Sequence, residues 1–400
     1  MKKNDVLMLC QFFYPEVITS AQLPFQTAKY IAKNGISVDV FCGFPKEYLD
    51  NEKVLDNETI EGININRIKY LQLNRGNVIT RLINYFSFVF AMFLKIPQMR
   101  KYKIIMVYSN PPILPLIAVI ANKLFRAEII FIAYDIYPEM AIYTDAIPKQ
   151  GMISRTMKFI NEKLYPLANV VALSDEMKHF LIKNRKIDSD NIYVIHNWAM
   201  EEENVSQDNN LGSLSEKSEE FIITYLGNMG IAQDFETLLE AFKIVESRDE
   251  NIKLILAGHG NQQEKIKKII GDNNLKNVKI YGFLQGRELK RLTRNTNAVF
   301  LSLKNQLNGL AVPSKFYSYL LMNKPIIAVV NKTSDIYRDI NEFDLGIAVD
   351  EGDANKLADS ILKIKGLNKD VNTQRVYNQK YKKNIALDKY VALINRLLNK

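Results

Sequence analysis

The sequence has few of the residues that build disulfide frameworks or metal sites: two cysteines and three histidines in 400 residues. Cys10 and Cys42 both lie in apolar, strand-like runs, which is typical of buried thiols in a reducing compartment. A zinc site built from protein ligands needs a His and Cys cluster that this sequence does not contain. We therefore expect neither a disulfide scaffold nor a bound metal.

Acidic residues are absent between positions 62 and 127, although ten Lys or Arg residues occur there. Inside this tract, residues 78–99 are rich in Phe and Leu, but Arg81 and Lys95 leave an apolar run shorter than the roughly 20 residues of a spanning helix. An aromatic helix bordered by cations suits an anionic membrane surface, so we predict peripheral membrane contact through residues 75–126. The alternative is a core helix with basic ends. No nucleic-acid-binding motif accompanies the charge, so we expect no nucleic-acid partner.

The fingerprints G-x-G-x-x-G and G-x-x-x-x-G-K-S/T are also missing, which removes the two most familiar nucleotide-binding loops. The N-terminus has only a short apolar run before Pro15, and we expect it to form a first buried strand and not a secretion signal.

The chain is too long for one compact core and contains 47% hydrophobic residues, which favours two domains. Strand-like and helix-like segments alternate in both halves and are separated by a polar, acidic stretch. We predict an α/β protein with two doubly wound, Rossmann-like domains facing a cleft. The predicted parts are a first Rossmann-like domain (1–199), a polar linker (200–220), a second Rossmann-like domain (221–376) and an amphipathic helix (377–400).

Four loops of the second half contain glycine or begin a helix where the carboxyl ends of parallel strands would meet: residues 227–233, 258–260, 282–284 and 314–315. Glycine lets backbone N–H groups approach a phosphate closely. Ser314 is a good helix N-cap, and Lys315 adds a positive charge at the start of a predicted helix over 315–322. Together they predict a diphosphate clamp. The alternative is a set of ordinary strand-to-helix turns and a capped helix with a surface lysine.

The first half offers carboxylates at the corresponding edge of its predicted sheet. Asp135 ends a very apolar strand and can hold or deprotonate an acceptor hydroxyl, or it can simply form a turn. Glu139, Glu16 and Ser20 are expected at the same edge as acceptor contacts. His196 is interpreted as a hinge residue in preference to a ligand contact. The sequence Asp188-Ser189-Asp190 has a metal-binding form but is interpreted as a polar turn.

Seven motifs, taken in order, resemble glycosyltransferase family 4, the retaining enzymes of GT-B fold, and in particular the branch that builds bacterial capsules, exopolysaccharides and O-antigens. The motifs are FFYPE (12–16), YDIYPE (134–139), VALSDEM (171–177), VIHNW (194–198), YLGNMGIAQDFETLLEAF (225–242), LAGHG (256–260) and VPSKFYSYLLMNKPIIA (312–328). The resemblance implies a nucleotide-sugar donor on the C-terminal domain, an acceptor on the N-terminal domain, and no obligatory metal. It also implies a C-terminal helix that returns to the first domain.

Carried over by position, the resemblance implies specific roles. The diphosphate contacts would be Gly227, Asn228, Gln233, Ser314 and Lys315, although many members have Arg and Lys at positions 228 and 233. The family's paired glutamates fall at Leu310 and Ser318, so both carboxylates are missing, and Ser318 stands where the ribose contact is expected. Asp135 and Lys315 are the expected catalytic residues, and the remaining nucleotide contacts would be Gly258, Gly260, Gly282, Phe283 and Leu284.

The predicted function is retaining transfer from a nucleotide-diphosphate sugar, with a UDP-sugar as the expected co-substrate, to a lipid-linked saccharide at the inner face of the cytoplasmic membrane. The missing glutamates favour a second hypothesis, a catalytically weak subunit that binds nucleotide or lipid and supports another transferase. A sugar-nucleotide epimerase of the same fold is a third, which the aromatic basic tract disfavours.

Overall fold

The computed structural model describes residues 4–46, 54–74, 78–200, 220–367 and 371–400. The chain divides into two compact units. The first unit comprises Met1–Asn197, Gly309–Val312 and Lys383–Lys400, and the second comprises Trp198–Asn308 and Pro313–Lys382. Residues 201–219, most of the predicted linker, lie outside the described residues, as does Arg75 of the basic tract.

The first unit is built on a sheet with strand order β3-β4-β2-β1-β5-β6-β7-β8, in which β3 alone among the described strands is antiparallel to its neighbour. The apolar runs predicted as strands form its buried centre, because a parallel sheet covered on both faces needs continuous hydrophobic strands. The strands are β1 (Asn4–Cys10), β2 (Val38–Gly43), β3 (Asn57–Ile60), β4 (Ile63–Ile68), β5 (Tyr102–Tyr108), β6 (Glu128–Ala133), β7 (Ala168–Ala172) and β8 (Ile192–Val194).

Helices connect these strands in the alternation that the sequence predicts. They are α1 (Thr19–Lys33), α2 (Val78–Phe93), α3 (Pro115–Phe125), α4 (Glu139–Tyr143), α5 (Met152–Leu164) and α6 (Asp175–Arg185). Helix α2 is shorter than the predicted 78–99 and gives way to a 3-10 turn at Ile96–Lys101. Pro97 explains the difference, because proline in a helix interior removes a backbone hydrogen bond and clashes with the preceding turn.

The second unit has a wholly parallel sheet with strand order β11-β10-β9-β12-β13-β14. Its strands are β9 (Phe221–Leu226), β10 (Ile252–Ala257), β11 (Val278–Tyr281), β12 (Ala298–Ser302), β13 (Ile326–Val329) and β14 (Gly346–Val349). Its helices are α7 (Phe235–Arg248), α8 (Gln263–Asp272), α9 (Gly286–Asn295), α10 (Lys315–Leu321), α11 (Asp335–Glu342), α12 (Ala354–Leu367) and α13 (Thr373–Val376).

The C-terminal helix α14 (Lys383–Leu398) belongs to the first unit, which confirms the predicted return of the chain. It packs on α1, and Tyr30 Oη donates a 2.5 Å hydrogen bond to Asp388 Oδ1. The prediction of one helix from residue 377 was wrong, because Tyr377–Tyr381 form a π-helical turn that stays with the second unit. There Lys380 and Tyr381 hydrogen bond the buried carboxylate of Asp339 on α11.

Candidate active site

Lys315 is the first residue of α10, and its half-buried side chain lies against the loop that follows β9. Its Nζ is 4.9 Å from the centroid of the Tyr225 ring. In the described part of the chain no carboxylate forms an ion pair with it. Burial lowers the pKa of Lys315 to about 8, because desolvation disfavours the charged form. An unpaired, partly desolvated cation of this kind gains most from an anionic ligand.

Glycine makes the close approach of Lys315 possible. Gly227 has φ +122°, and a Cβ atom added to it would lie 2.5 Å from Lys315 Cε. Gly258, with φ +143°, is just as constrained, because a Cβ there would lie 2.0 Å from the Gly227 carbonyl oxygen. A Cβ on Gly260 would meet the Met229 carbonyl oxygen at 2.1 Å. Only glycine fits these positions without moving the backbone.

Backbone hydrogen bonds join the loops that follow β9, β10 and β11. Gly227 N donates to Ala257 O over 2.8 Å, Met229 N to His259 O over 2.7 Å, and Gly258 N to Tyr281 O over 3.1 Å. The structure thus brings Gly227, Gly258 and Gly260 together with Lys315 at one edge of the second sheet, as the sequence predicts.

The other three predicted diphosphate contacts, Gln233, Asn228 and Ser314, each have a different environment. Gln233 Oε1 accepts a hydrogen bond from Gly230 N over 2.9 Å, so this side chain holds its own loop. Asn228 is exposed on the same loop. Ser314 does not cap α10: its backbone is already helical and its side chain makes no capping hydrogen bond, which corrects the predicted N-cap.

The segment after β11 offers an exposed aromatic surface. Phe283 is 63% exposed and stacks on His259, with ring centroids 6.3 Å apart and planes inclined by 29°. Phe283 N also donates to His259 Nε2 over 3.3 Å. Gly282 is exposed and Leu284 is half-buried in the same segment. His259, which lies between the two glycines of the LAGHG motif, was not among the predicted site residues.

The two positions of the family's glutamates are occupied differently. Ser318 is exposed on α10. Leu310 is 1% exposed and belongs to the first unit, where its carbonyl oxygen accepts a 2.8 Å hydrogen bond from Ile136 N. Ala311 forms an antiparallel bridge with Asp135. Position 310 therefore supports the backbone beside Asp135 and presents no polar side chain.

Asp135 lies just beyond β6 in the first unit and is half-buried. Its backbone N donates to Ser109 Oγ over 3.2 Å. Burial raises the pKa of Asp135 to about 6, and desolvation is the sole cause of the rise. A carboxylate with this pKa is ionised at neutral pH yet basic enough to take a proton from a hydroxyl group.

The three predicted acceptor contacts, Glu16, Glu139 and Ser20, lie in different surroundings. Glu16 is 7% exposed and accepts a 3.3 Å hydrogen bond from Lys46 N. Glu139 forms an ion pair with Arg185, so this carboxylate already serves the packing of α4 against α6. Ser20 lines a small pocket at the start of α1. None of the three contacts Asp135 through a described hydrogen bond.

Two further interpretations concern His196, expected as a hinge residue, and the sequence Asp188-Ser189-Asp190, expected as a polar turn. His196 lies near the boundary between the two units, and its Nδ1 is within hydrogen-bond distance of the Leu173 carbonyl oxygen, at 2.9 Å. Asp188 Oδ1 accepts a 3.1 Å hydrogen bond from Asp190 N, which makes the D-x-D sequence a turn. Among the described residues, no group of three or more His, Cys, Asp or Glu side chains is placed to hold a metal ion.

Helix α2 of the basic tract exposes a stripe of large apolar side chains at helical spacing. On the opposite side of α2, Asn84, Phe88 and Met92 are buried. No helix in the described part of the chain is long and apolar enough to cross a membrane. The exposed stripe consists of Ile79, Ile83, Phe86, Phe90, Phe93 and, just beyond the helix, Leu94.

Comparison with known proteins places both units in one group of enzymes. The model of Glycosyltransferase Family 4 matches residues 24–199, and that of Glycosyl transferases group 1 matches residues 206–383. The chain is 23% identical over 340 residues to the probable glycosyltransferase WbjE of Pseudomonas aeruginosa, covering 83% of this chain and 84% of WbjE.

Two other proteins are similar to this chain, one in sequence and one in structure. A poly(ribitol-phosphate) alpha-N-acetylglucosaminyltransferase of Staphylococcus aureus is 22% identical over 255 residues, covering 61% of this chain and 47% of that protein. The structure of Anabaena Alr3699/HepE in complex with UDP superposes with a TM-score of 0.67 at 15% identity, covering 98% of this chain and 100% of HepE. At this identity the likeness shows the fold, which is GT-B.

Proposed function

This chain belongs to the glycosyltransferases of family 4, and from that premise we propose that it moves a sugar from a nucleotide-diphosphate donor to a hydroxyl group of a lipid-linked saccharide, with retention of configuration. The observation that carries the proposal is Lys315, a half-buried cation without a described counter-ion that lies against the glycine loop after β9. The UDP bound by the structural relative HepE favours a UDP-sugar as the donor.

In the proposed reaction, the bond between the anomeric carbon and the diphosphate oxygen breaks, and the negative charge develops on the leaving diphosphate. Lys315 stabilises that charge, since a preorganised cation in a partly desolvated site acts most strongly where charge develops. The missing side chain of Gly227 lets Lys315 lie against the loop that follows β9, where the donor diphosphate would bind. The exposed pair of His259 and Phe283 supplies a surface for the nucleotide base.

Asp135 acts on the acceptor in this proposal. Its carboxylate accepts the proton of the acceptor hydroxyl as the oxygen bonds to the anomeric carbon, on the same face from which the diphosphate leaves, so the configuration is retained. A pKa of about 6 keeps Asp135 ionised at neutral pH while retaining basicity. Metal-independent chemistry is part of the proposal, with Lys315 providing the charge that a divalent cation supplies in other transferases.

Membrane contact is the second part of the proposal. The exposed stripe on α2 lies in a tract without acidic residues, so an anionic lipid surface can bind the apolar side chains and the flanking cations together. Such contact would bring the enzyme to a lipid-linked acceptor at the cytoplasmic face. Flotation with vesicles of phosphatidylcholine and phosphatidylglycerol tests this. Phe90→Glu should abolish flotation, while Phe159→Glu, at an exposed phenylalanine on α5, should leave it intact.

The donor site is tested by the thermal stability of the protein with a panel of nucleoside diphosphates and nucleotide sugars. A ligand at 100 times its Kd adds about 2.7 kcal/mol of stability, which raises the Tm visibly. Lys315→Ala should remove the shift. Lys363→Ala, at an exposed lysine near the starts of β13 and β14, should preserve it.

The exposed serine at position 318, where the family has a glutamate, favours one alternative: a weakly active subunit that supports another transferase. A protein that binds UDP but does not hydrolyse or transfer any UDP-sugar would support this alternative. A protein whose Tm responds to no nucleotide would contradict the transferase proposal.

A further inference from the structure

Helix α9 of the second unit has a row of cations along one side and buries none of its residues. Arg287, Lys290, Arg291 and Arg294 occupy positions i, i+3, i+4 and i+7, which lie on one face of an α-helix. The three arginines are exposed and the lysine is half-buried. These four side chains, called the α9 stripe below, present a row of positive charge about 10 Å long to the solvent.

The α9 stripe has no counter-charges within the described part of the chain. None of its four side chains forms an ion pair there, and Glu288, the one acid of α9, lies on the flank of the stripe without pairing with it. Helices α7, α8, α11 and α12 of the same unit each form at least one ion pair. These pairs are Arg248–Asp359, Lys265–Glu236, Lys267–Glu264, Arg338–Asp335 and Lys365–Asp249.

Lys279 extends the positive surface beside α9. It lies on the edge strand β11, where the next residue, Ile280, packs against the core cluster that contains Ile266 of α8. Successive residues of a strand point to opposite faces, so the exposed Lys279 points away from α8. The chain reaches β11 in one direction along the sheet and leaves it in the other, and right-handed crossovers therefore put α9 on the face opposite α8. Lys279 and α9 thus share one face of the sheet.

A row of like charges costs stability when it has no partner. Cations three or four positions apart on a helix repel each other, and the α9 stripe contains four such pairs. Arg287 also lies in the first turn, where the helix dipole disfavours a cation. No residue of α9 is buried to offset this cost. Because an anionic partner would remove the repulsion, the arrangement favours a binding surface over an ordinary solvated face.

We propose that the α9 stripe binds the anionic headgroups of a phospholipid membrane. A row of exposed charges matches a plane of headgroups, which offers an anion to each cation. A protein partner would need apolar anchors, but Leu289 and Leu292, the apolar residues of α9, are half-buried on the side away from the stripe. Single-stranded nucleic acid is bound through aromatic side chains between the cations, and α9 contains none.

This inference goes beyond the proposed function, which assigns membrane contact to α2 of the first unit. A Lys or Arg beside an anionic bilayer strengthens binding by about fivefold, and salt screens the attraction. Helix α9 exposes no large apolar side chain that could enter the bilayer. The α9 stripe therefore adds a salt-sensitive contribution to the apolar contact of α2 and does not replace that contact.

The test is co-sedimentation of the full chain with vesicles of phosphatidylcholine and phosphatidylglycerol at low ionic strength. The variant Arg287→Gln/Arg294→Gln neutralises both ends of the stripe and keeps the helix, because arginine and glutamine have similar helix propensities. We expect its partition coefficient to fall about 25-fold, which is two fivefold steps. Added salt should weaken the binding of the wild type more than that of the variant.

The matched control is Lys356→Gln/Lys363→Gln in α12. These lysines are also exposed and lie seven positions apart on a helix of the second unit, so the net charge falls by the same amount. We expect the control to change the partition coefficient by less than about twofold, because charges away from the bilayer are screened. On vesicles of phosphatidylcholine alone, both variants should bind as the wild type does.

Two vesicle results would overturn the inference: an unchanged partition coefficient of Arg287→Gln/Arg294→Gln, or an equal loss in the α12 control. The Tm of the α9 variant should equal or exceed that of the wild type, since repulsion is relieved, and a lower Tm would contradict the claim that the stripe lacks a partner within the protein. Unchanged vesicle binding with loss of polyuridylate binding would assign the stripe to nucleic acid instead. The α2 contact is tested separately by Phe90→Glu, so either surface can fail without the other.

Discussion

The two units carry opposite charges in comparable places. In the second unit, burial lowers the pKa of Lys315 to about 8, and in the first unit burial raises the pKa of Asp135 to about 6. Asp135 lies just beyond β6, Lys315 begins α10, and for each desolvation is the cause of the shift. In both cases burial of a charge costs stability, and groups with such shifted pKa values cluster at functional sites.

The surroundings of the two charges differ. Beside Lys315 the second unit places Gly227, where an added Cβ would lie 2.5 Å from Lys315 Cε, and the Tyr225 ring. Near Asp135 the first unit places Ser109, whose Oγ accepts a hydrogen bond from Asp135 N, and Ala311, which pairs with Asp135 in an antiparallel bridge. In the proposed division of roles, the two units differ in the side chains beyond their strands and not in the strands themselves.

The largest effect is expected from Asp135→Asn. Loss of the general base should reduce transfer by about 10²- to 10⁴-fold, while UDP binding, assigned to the second unit, should stay unchanged. A variant that loses transfer and UDP binding together would show that the two units do not divide the work as proposed.

The same variant should be more stable than the wild type at pH 7.5. A folded-state pKa above the unfolded value means that the folded protein loses stability as the pH rises from about 4 to 6. A rise from 3.8 to about 6 corresponds to about 3 kcal/mol, which the neutral asparagine avoids. Urea unfolding at pH 4 and pH 7.5 measures the difference.

Gly258→Ala should damage the second unit alone. The added Cβ would lie 2.0 Å from the Gly227 carbonyl oxygen at φ +143°, so we expect a loss of more than about 2 kcal/mol and weaker UDP binding. The control is Gly271→Ala in α8, where no atom lies within 4 Å of the added Cβ and alanine stabilises a helix by about 1 kcal/mol. Equal losses in both variants would contradict the packing argument.

The pH dependence of kcat/KM should reflect the ionisation of both Asp135 and Lys315. Activity requires Asp135 ionised and Lys315 protonated, so it should rise about tenfold per pH unit below about 6 and fall above about 8. In Lys315→Met the residual activity should lose the alkaline limb and keep the acid limb. Persistence of the alkaline limb in that variant would assign it to another group.

The smallest effect is expected from Ser318→Glu, which restores the carboxylate that the family has at this position. Because position 318 is exposed on α10, a new hydrogen bond to the ribose should tighten UDP binding by only a few-fold. Titration of both proteins with UDP measures it, and weaker binding would show that Ser318 does not face the ribose.

The sequence predicted the architecture well because both sheets are built from continuous apolar strands. The apolar runs at residues 221–226, 252–257, 278–281 and 346–349 all form strands. Strand β3 was missed because it is short and has no buried residue, and helix α11 was missed because its buried face includes Asp335 and Asp339 beside Ile336 and Ile340. The loops of the second unit were predicted because glycine marks them directly.

The partners of individual side chains were beyond prediction. Gln233 turns to Gly230 and Glu139 pairs with Arg185, a residue 46 positions away that only the folded chain brings near.

The most direct test of the central claim is proton uptake when UDP binds at pH 8, measured by calorimetry in buffers of different ionisation enthalpy. If the diphosphate contacts Lys315, it stabilises the charged form, and a group with a pKa of about 8 should take up about half a proton. Lys315→Met should take up none. Binding of UDP to the wild type without proton uptake would contradict the assignment of Lys315 to the diphosphate.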